Sequence, residues 1–100
     1  MDAKIKIEVR RDLQPIVPRF LANCEARVTA LREALSARDF DKVRAIGHHL
    51  KGAGGGYGFR AITDLGACIE KAAAAKDDLT IAPCIAELAA YLSSIEVVYI

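Results

Sequence analysis

Two adjacent histidines, His48 and His49, begin the segment of the sequence that has the most unusual composition. Glycine occupies five of the seven positions from 52 to 58. An imidazole has an ordinary pKa of about 6.5, so it is mostly neutral at neutral pH and can carry a phosphoryl group on a ring nitrogen. On a helix, Arg44 four residues earlier and Lys51 three residues later would flank the ring of His48. The segment therefore predicts a nucleophilic histidine beside two cations that would meet an anion.

The hydrophobic pattern of a helix continues through these glycines. Its members are spaced by three or four residues, and they are Val43, Ile46, Leu50, Ala53 and Tyr57. Each glycine inside a helix is about 1 kcal/mol less favourable than alanine, so several together cost roughly 3 to 5 kcal/mol. At about 100° per residue, His48 points about 160° away from Leu50 and therefore faces solvent. Gly52 and Gly55 share this outward strip, so they let the surface of a partner approach an exposed imidazole.

Three further stretches have the same spacing and predict three more amphipathic helices. The stripes of these helices run from Val17 to Leu35, from Ile62 to Lys76 and from Ile81 to Ile95, and they are apolar except at Lys76. Short connections between helices of similar length make sequence neighbours run antiparallel. The sequence therefore predicts an all-α fold, an antiparallel up-down-up-down four-helix bundle with a short N-terminal arm. The bundle covers residues 13–96 and the arm covers residues 1–12 of a single domain that spans 1–100.

Capping and helix-breaking residues mark the limits of these helices. The helix that carries the histidines is expected to begin at Asp39 or Asp41 and to stop at Gly58. Thr80 is expected to cap the last helix, with Pro83 in its first turn.

The two ends of the chain have the composition of strands. Ile5, Ile7 and Val9 alternate with charged residues, which is the period of a short strand or an extended arm. Residues 97–100 are β-branched or aromatic, so they are expected to leave the last helix. We predict that this tail pairs with the N-terminal arm.

The charge balance of the chain excludes some partners. Among its 100 residues, 14 Lys and Arg stand against 13 Asp and Glu, which gives a formal net charge of +1. Such a chain does not bind nucleic acid or an anionic membrane by bulk electrostatics. The N-terminal residues lack the long apolar run of a signal peptide or a membrane span. Cys24, Cys68 and Cys84 are an odd number without CxxC spacing, so we expect reduced, buried thiols in a cytoplasmic protein.

The histidine pair and the glycines allow two other interpretations. Metal ligands on one helix face need a spacing of three or four residues, which His48 and His49 lack. A loop that cradles a nucleotide phosphate needs a preceding strand and a GxxxxGK[ST] motif, which this segment lacks. We therefore expect no metal and no cofactor on this chain, no ATPase or kinase activity of its own, and a partner that supplies Mg²⁺ and the phosphoryl donor. His49 lies on the edge of the buried stripe, where a structural, hydrogen-bonded histidine is expected.

The motif resembles that of a known family. The run His48-His49-Leu50-Lys51-Gly52, followed by a glycine-rich turn that ends in Tyr57-Gly58-Phe59, is similar to the H-x-[Leu/Ile]-K-G…G signature of histidine phosphotransfer (HPt) domains. The resemblance covers essentially the whole chain and implies a four-helix bundle that acts as a phosphorelay intermediate. It implies that His48 is the phosphoacceptor and that Lys51 supports the phosphoryl group. Gly52 and Gly58 then fall where the family keeps small residues, and the implied partners are a receiver domain, whose phosphoaspartate and Mg²⁺ face the histidine, or a hybrid histidine kinase.

A partner should dock on the small and apolar residues around the histidine, because transient contacts use a modest hydrophobic patch with a polar rim. The candidate docking residues are Arg44, Ala45, Gly52, Gly55, Gly56, Gly58 and Phe59. Two other functions stay open: a bundle that binds a receiver or kinase without carrying phosphate, and the dimerisation domain of a kinase. Four stripes in one chain favour a monomer over the second of these.

Overall fold

The computed structural model describes residues 4–100 and contains the four predicted helices. The helices are α1 (Val17–Ser36), α2 (Phe40–Gly54), α3 (Arg60–Ala74) and α4 (Asp78–Ser94). Two strands, β1 (Ile5–Val9) and β2 (Ile95–Tyr99), flank them, and short 3-10 turns lie at Arg11–Leu13 and Gly55–Tyr57. The first three residues of the predicted N-terminal arm lie outside the described residues.

Aspartates cap the two helices that follow the tightest connections. Asp39 precedes α2, and its side chain accepts a hydrogen bond from the backbone N–H of Lys42 at 3.1 Å. Asp77 precedes α4 and accepts from the backbone N–H of Thr80 at 3.2 Å and from its hydroxyl at 2.7 Å. The prediction that Thr80 caps α4 is therefore wrong, because Asp77 occupies that position and Thr80 lies in the first turn. Pro83 lies further inside the helix than predicted.

The four apolar stripes meet in one core. Each helix packs against its sequence neighbour, α1 also packs against α4, and the most extensive contact joins α2 to α3. The fully buried side chains come from all four helices and include Cys24, Leu31, Val43, Leu50, Ile62, Ile69, Ile81 and Leu88. Each predicted stripe therefore contributes buried side chains to the core.

The chain ends pair as predicted, and they do so in parallel. Ile5 lies opposite Ile95, and Val9 lies opposite Tyr99. The backbone N–H of Ile100 donates to the carbonyl of Val9 at 2.9 Å, which extends the ladder beyond the strand. Parallel strands need a long crossover connection, and here the whole helical bundle supplies it. Among residues 4–100, none of the helices is both long and apolar enough to cross a membrane.

Candidate functional site

Two glycines bring α2 and α3 into backbone contact. A Cβ atom added at Gly47 would lie 2.8 Å from the backbone nitrogen of Glu70 and 3.0 Å from the carbonyl oxygen of Gly66. A Cβ atom added at Gly66 would collide with the backbone nitrogen of Lys51 and would lie 2.8 Å from the carbonyl oxygen of Gly47. Only glycine, which lacks a Cβ atom, allows two helix backbones to approach this closely. The contact places the side chains of His48 and Lys51 on α2 next to Glu70 on α3.

His48 and Lys51 share the carboxylate of Glu70. The Nδ1 atom of His48 lies 2.8 Å from Oε2 of Glu70, and the Nζ atom of Lys51 donates to Oε1 at 3.4 Å. The side chain of His48 is 68% exposed, whereas that of Glu70 is 22% exposed. His48 therefore points outward, as predicted. The carboxylate of Glu70 holds one edge of its ring.

The carboxylate determines which ring nitrogen is free. An ionised carboxylate only accepts hydrogen bonds, so Nδ1 of His48 must carry the hydrogen. In the neutral imidazole, the lone pair then resides on Nε2. The hydrogen bond from His48, opposed by desolvation and assisted by Lys51, lowers the pKa of Glu70 below its usual value of 4.5. Glu70 is therefore ionised at neutral pH and keeps Nε2 available as a nucleophile.

A solvent-open cavity of about 430 Å³ lies beside His48. Its lining residues are Asp41, Arg44, Ala45, His48, His49 and Glu70. Arg44 and Ala45 are exposed, so both predicted docking residues border the same space as the imidazole. Arg44 is the one cation among these lining residues, and it precedes His48 on α2 by four residues, whereas Lys51 follows His48 by three.

His49 does not occupy the structural position expected of it. Its side chain is exposed, and its ring lies edge-on to that of His48 with centroids 6.3 Å apart. The prediction of a hydrogen-bonded histidine on the edge of the core is wrong. The buried residues of α2 are Val43, Gly47, Leu50 and Gly54, and the two glycines extend the buried face on the side away from His49.

The glycines between positions 52 and 56 separate into two groups. A Cβ atom at Gly54 would lie 2.7 Å from the carbonyl oxygen of Phe59, so the packing of the turn requires this glycine. Gly52 and Gly56 are exposed, and a Cβ atom at either would meet nothing within 4 Å. At Gly55 the nearest atom would be 3.5 Å away, which is an ordinary contact. The fold therefore does not require Gly52, Gly55 or Gly56, and their bare backbone faces solvent.

The end of this segment turns back into the core. The α-helix ends at Gly54, a 3-10 turn follows, and Gly58 has a left-handed backbone with φ of 87°, as its predicted role as a stop requires. Phe59 comes next and is 0% exposed, and its ring stacks on Phe20 with centroids 5.6 Å apart. The prediction that Phe59 belongs to the docking surface is wrong, because the turn at Gly58 directs its side chain into the core.

Sequence reasoning did not identify Glu70. It is a single carboxylate on α3, next to the buried Ile69, and its sequence context gives no sign of chemistry. Two glycines could have located it, because Gly66 lies four residues before Glu70 and Gly47 lies one residue before His48. A pair of small residues at a helix crossing sets which side chains face each other.

The fold and the site define a class of protein: a small helical domain that presents an imidazole at its surface, with one ring nitrogen held by a carboxylate and the other free. The sequence profile of the Hpt domain matches residues 16–97. The chain therefore belongs to the Hpt family, the histidine phosphotransfer domains of two-component phosphorelays, as its motif indicated. No curated protein and no solved structure matches the chain significantly.

Members of the Hpt family work in signal transduction. They transfer phosphoryl groups as carriers rather than acting as kinases or ATPases, and they interact with receiver domains and histidine kinases. Within the part of the chain that the structure describes, no group of three or more His, Cys, Asp or Glu residues is placed to hold a metal ion.

Proposed function

We propose that this chain is a phosphorelay intermediate in which His48 accepts a phosphoryl group from the phosphoaspartate of a receiver domain, or from a kinase, and passes it to another receiver aspartate. The observation that carries the proposal is the hydrogen bond between Nδ1 of His48 and Glu70, which leaves Nε2 free on an exposed ring.

The transfer step follows from this geometry. The lone pair of Nε2 attacks the phosphorus atom, a P–N bond forms, the P–O bond to the aspartate breaks, and the aspartate carboxylate leaves with the electron pair. The ring of His48 then has a substituent on each nitrogen and is cationic, while its Nδ1 hydrogen stays in the bond to Glu70. An adjacent anion stabilises this charge, as a buried aspartate does for the histidine of serine hydrolases. The reverse sequence of bonds passes the group to the next aspartate.

Lys51 and Arg44 are proposed to compensate the charge of the phosphoryl oxygens. The bond from Lys51 to Glu70 is long at 3.4 Å, and the lysine side chain is 52% exposed. Its ammonium group can therefore turn from the carboxylate toward an arriving phosphoryl group at little cost. Arg44 lines the cavity beside His48 and precedes it on α2 by four residues. Phosphoryl transfer depends on such positioning and charge compensation.

The receiver is proposed to dock on the exposed surface around His48 and to bring Mg²⁺ with it, so that this chain needs no cofactor. That surface consists of Arg44, Ala45, Gly52, Gly55, Gly56 and Gly58. The support for close docking is the open space above Gly52 and Gly56, which the fold does not require to be glycine.

The remaining expectations concern the whole chain and belong to the same proposal. We propose a cytoplasmic monomer that binds neither nucleic acid nor membrane, with a single domain at 1–100, an arm at 1–12 and a bundle at 13–96. The support for the cytoplasm is that the three cysteines are an odd number without CxxC spacing, which is typical of reduced thiols. The bundle is proposed to be antiparallel up-down-up-down, because only residues 37–39 connect α1 to α2 and only residues 75–77 connect α3 to α4.

Incubation with a panel of receiver domains that have been phosphorylated beforehand tests the proposal. We expect acid-labile, base-stable label on the wild type and on His49→Gln, the matched control from the neighbouring exposed position, but not on His48→Gln. Label on His48→Gln would contradict the assignment of the phosphoacceptor. Binding to receivers without label on any variant would favour the alternative, an interaction module that does not carry phosphate.

A further inference from the structure

Two cysteine thiols meet where α3 packs against α4. The Sγ atoms of Cys68 and Cys84 lie 2.9 Å apart, and both residues are free thiols. A disulfide bond is about 2.0 Å long, so the sulfur atoms need to approach by less than about 1 Å to reach bonding distance. The packing of α3 against α4 therefore already holds the two sulfur atoms close to bonding distance.

The two thiols differ in their access to solvent. Cys68 is partly exposed and lines an open cavity of about 300 Å³ together with Lys71, Asp77 and Thr80. The carboxylate of Asp77 is engaged in capping α4. Cys84 is buried behind Cys68 with 8% exposure. A reagent in solvent therefore reaches Cys68 before it reaches Cys84.

The buried thiol is protected until its partner reacts. Burial, reinforced by the hydrogen bond with Cys68, raises the pKa of Cys84 to about 12. The third thiol, Cys24, is fully buried on α1, and burial raises its pKa to about 11. Only Cys68 is therefore an entry point for thiol chemistry.

We propose that Cys68 and Cys84 form a dithiol that closes to an intramolecular disulfide between α3 and α4 on reaction with a small disulfide such as oxidised glutathione. The Cys68 thiolate attacks one glutathione sulfur, a mixed disulfide forms, and the first glutathione thiolate leaves. Cys84 then loses its proton to the departing thiolate or to water, and its sulfur attacks Cys68 and releases the second glutathione. The two cysteines lose two electrons and two protons, and one glutathione disulfide becomes two glutathione thiols.

The disulfide would leave the histidine site intact. Cys68 and Glu70 are two residues apart on α3, which separates them by about 200° around the helix. The bond would therefore join α4 to the face of α3 that points away from α2. His48 lies on α2, on the other side of α3 from the bond. This inference does not depend on the proposed function, because the dithiol and the histidine site share no residue.

The experiment equilibrates the full chain with oxidised glutathione, denatures it and alkylates the free thiols before intact-mass measurement. We expect only Cys24 to be alkylated after oxidation, all three cysteines to be alkylated in the reduced chain, and a peptide map that links Cys68 to Cys84. The Cys24→Ser variant is the matched control and should form the same disulfide, whereas Cys68→Ser and Cys84→Ser should not.

The thermal midpoint provides a second measurement on the same samples. A disulfide that closes the loop between Cys68 and Cys84 should raise the thermal midpoint of the oxidised wild type by about 5–15 °C over that of the reduced protein. Cys68→Ser treated in the same way should show no rise. Three alkylated cysteines in the oxidised wild type, a glutathione adduct that persists on Cys68, or a disulfide between two chains would each overturn the proposal.

Discussion

Replacing Gly66 by alanine tests whether the backbone contact between α2 and α3 builds the histidine site. The new Cβ atom would collide with the backbone nitrogen of Lys51 and would lie 2.8 Å from the carbonyl oxygen of Gly47. Ordinary contacts of a Cβ atom begin at 3.4 Å, and backbone atoms cannot swing aside as the end of a side chain can. The two helices must therefore move apart at the point that places Glu70 beside His48.

The expected magnitude combines two opposing effects. Overpacking of this kind costs about 1–3 kcal/mol, while alanine in place of glycine favours a helix by up to about 1 kcal/mol. We expect Gly66→Ala to lower the free energy of unfolding by about 1–2 kcal/mol. Gly52→Ala is the matched control, because a Cβ atom at that position of α2 meets nothing within 4 Å. It should raise the free energy of unfolding by about 0.5–1 kcal/mol.

Urea unfolding measures both free energies, and nitrogen NMR of the imidazole reports which ring nitrogen carries the hydrogen. In Gly66→Ala we expect the spectrum of His48 to show a mixture of tautomers, because the 2.8 Å bond to Glu70 is lost or lengthened. If Gly66→Ala were as stabilising as Gly52→Ala and left the tautomer unchanged, the close crossing would not hold the site together. The reasoning from Gly47 and Gly66 would then be refuted.

Three further predictions concern the site and its surroundings. Glu70→Gln keeps a hydrogen-bond acceptor for His48 but removes the negative charge. The rate of phosphoryl transfer, measured with a labelled receiver, should therefore fall by about 10-fold or more. An unchanged rate would contradict the role of the carboxylate. The folded state lowers the pKa of Glu70 below 4.5, so this carboxylate adds stability that is fully present above that pH and is lost as the pH falls through the lowered value. Urea unfolding of wild type and Glu70→Gln should therefore converge on acidification, and a gap that widens below pH 4.5 would have the wrong sign. Gly55→Arg should leave the bundle folded, since a Cβ atom there makes only an ordinary contact at 3.5 Å, but it should slow transfer by blocking approach of the receiver; unchanged kinetics with unchanged circular dichroism would remove the steric argument.

Helical periodicity explains why much of the fold could be predicted from the sequence. Spacings of three and four residues identify the buried face of each helix without reference to any other helix. The same argument gives the outward direction of His48, because direction around one helix is a property of that helix alone. The strand character of the N-terminal segment was predictable for a similar reason, since the alternation along Ile5, Ile7 and Val9 is local.

The errors and omissions arise where two segments meet. Glu70 could not be assigned to His48 because periodicity does not say which residues of two helices lie at the crossing, and here Gly47 and Gly66 decide it. The position of His49 was wrongly predicted because glycines carry no apolar signal, although Gly47 and Gly54 are two of the four buried residues of α2. Phe59 was misplaced because one positive φ at the preceding residue reverses the direction of the chain.

The parallel pairing of β1 with β2 has a mechanical consequence. Because the strands run in the same direction, Ile5 lies at one end of the ladder and Tyr99 lies at the other. A force that pulls these two residues apart runs along the strands, so it loads the hydrogen bonds of the ladder together in shear instead of opening them one after another. The helices between the strands would be shielded from tension until that ladder breaks. A pulling force applied at Ile5 and Tyr99 would therefore leave the structure around His48 unchanged up to a threshold force.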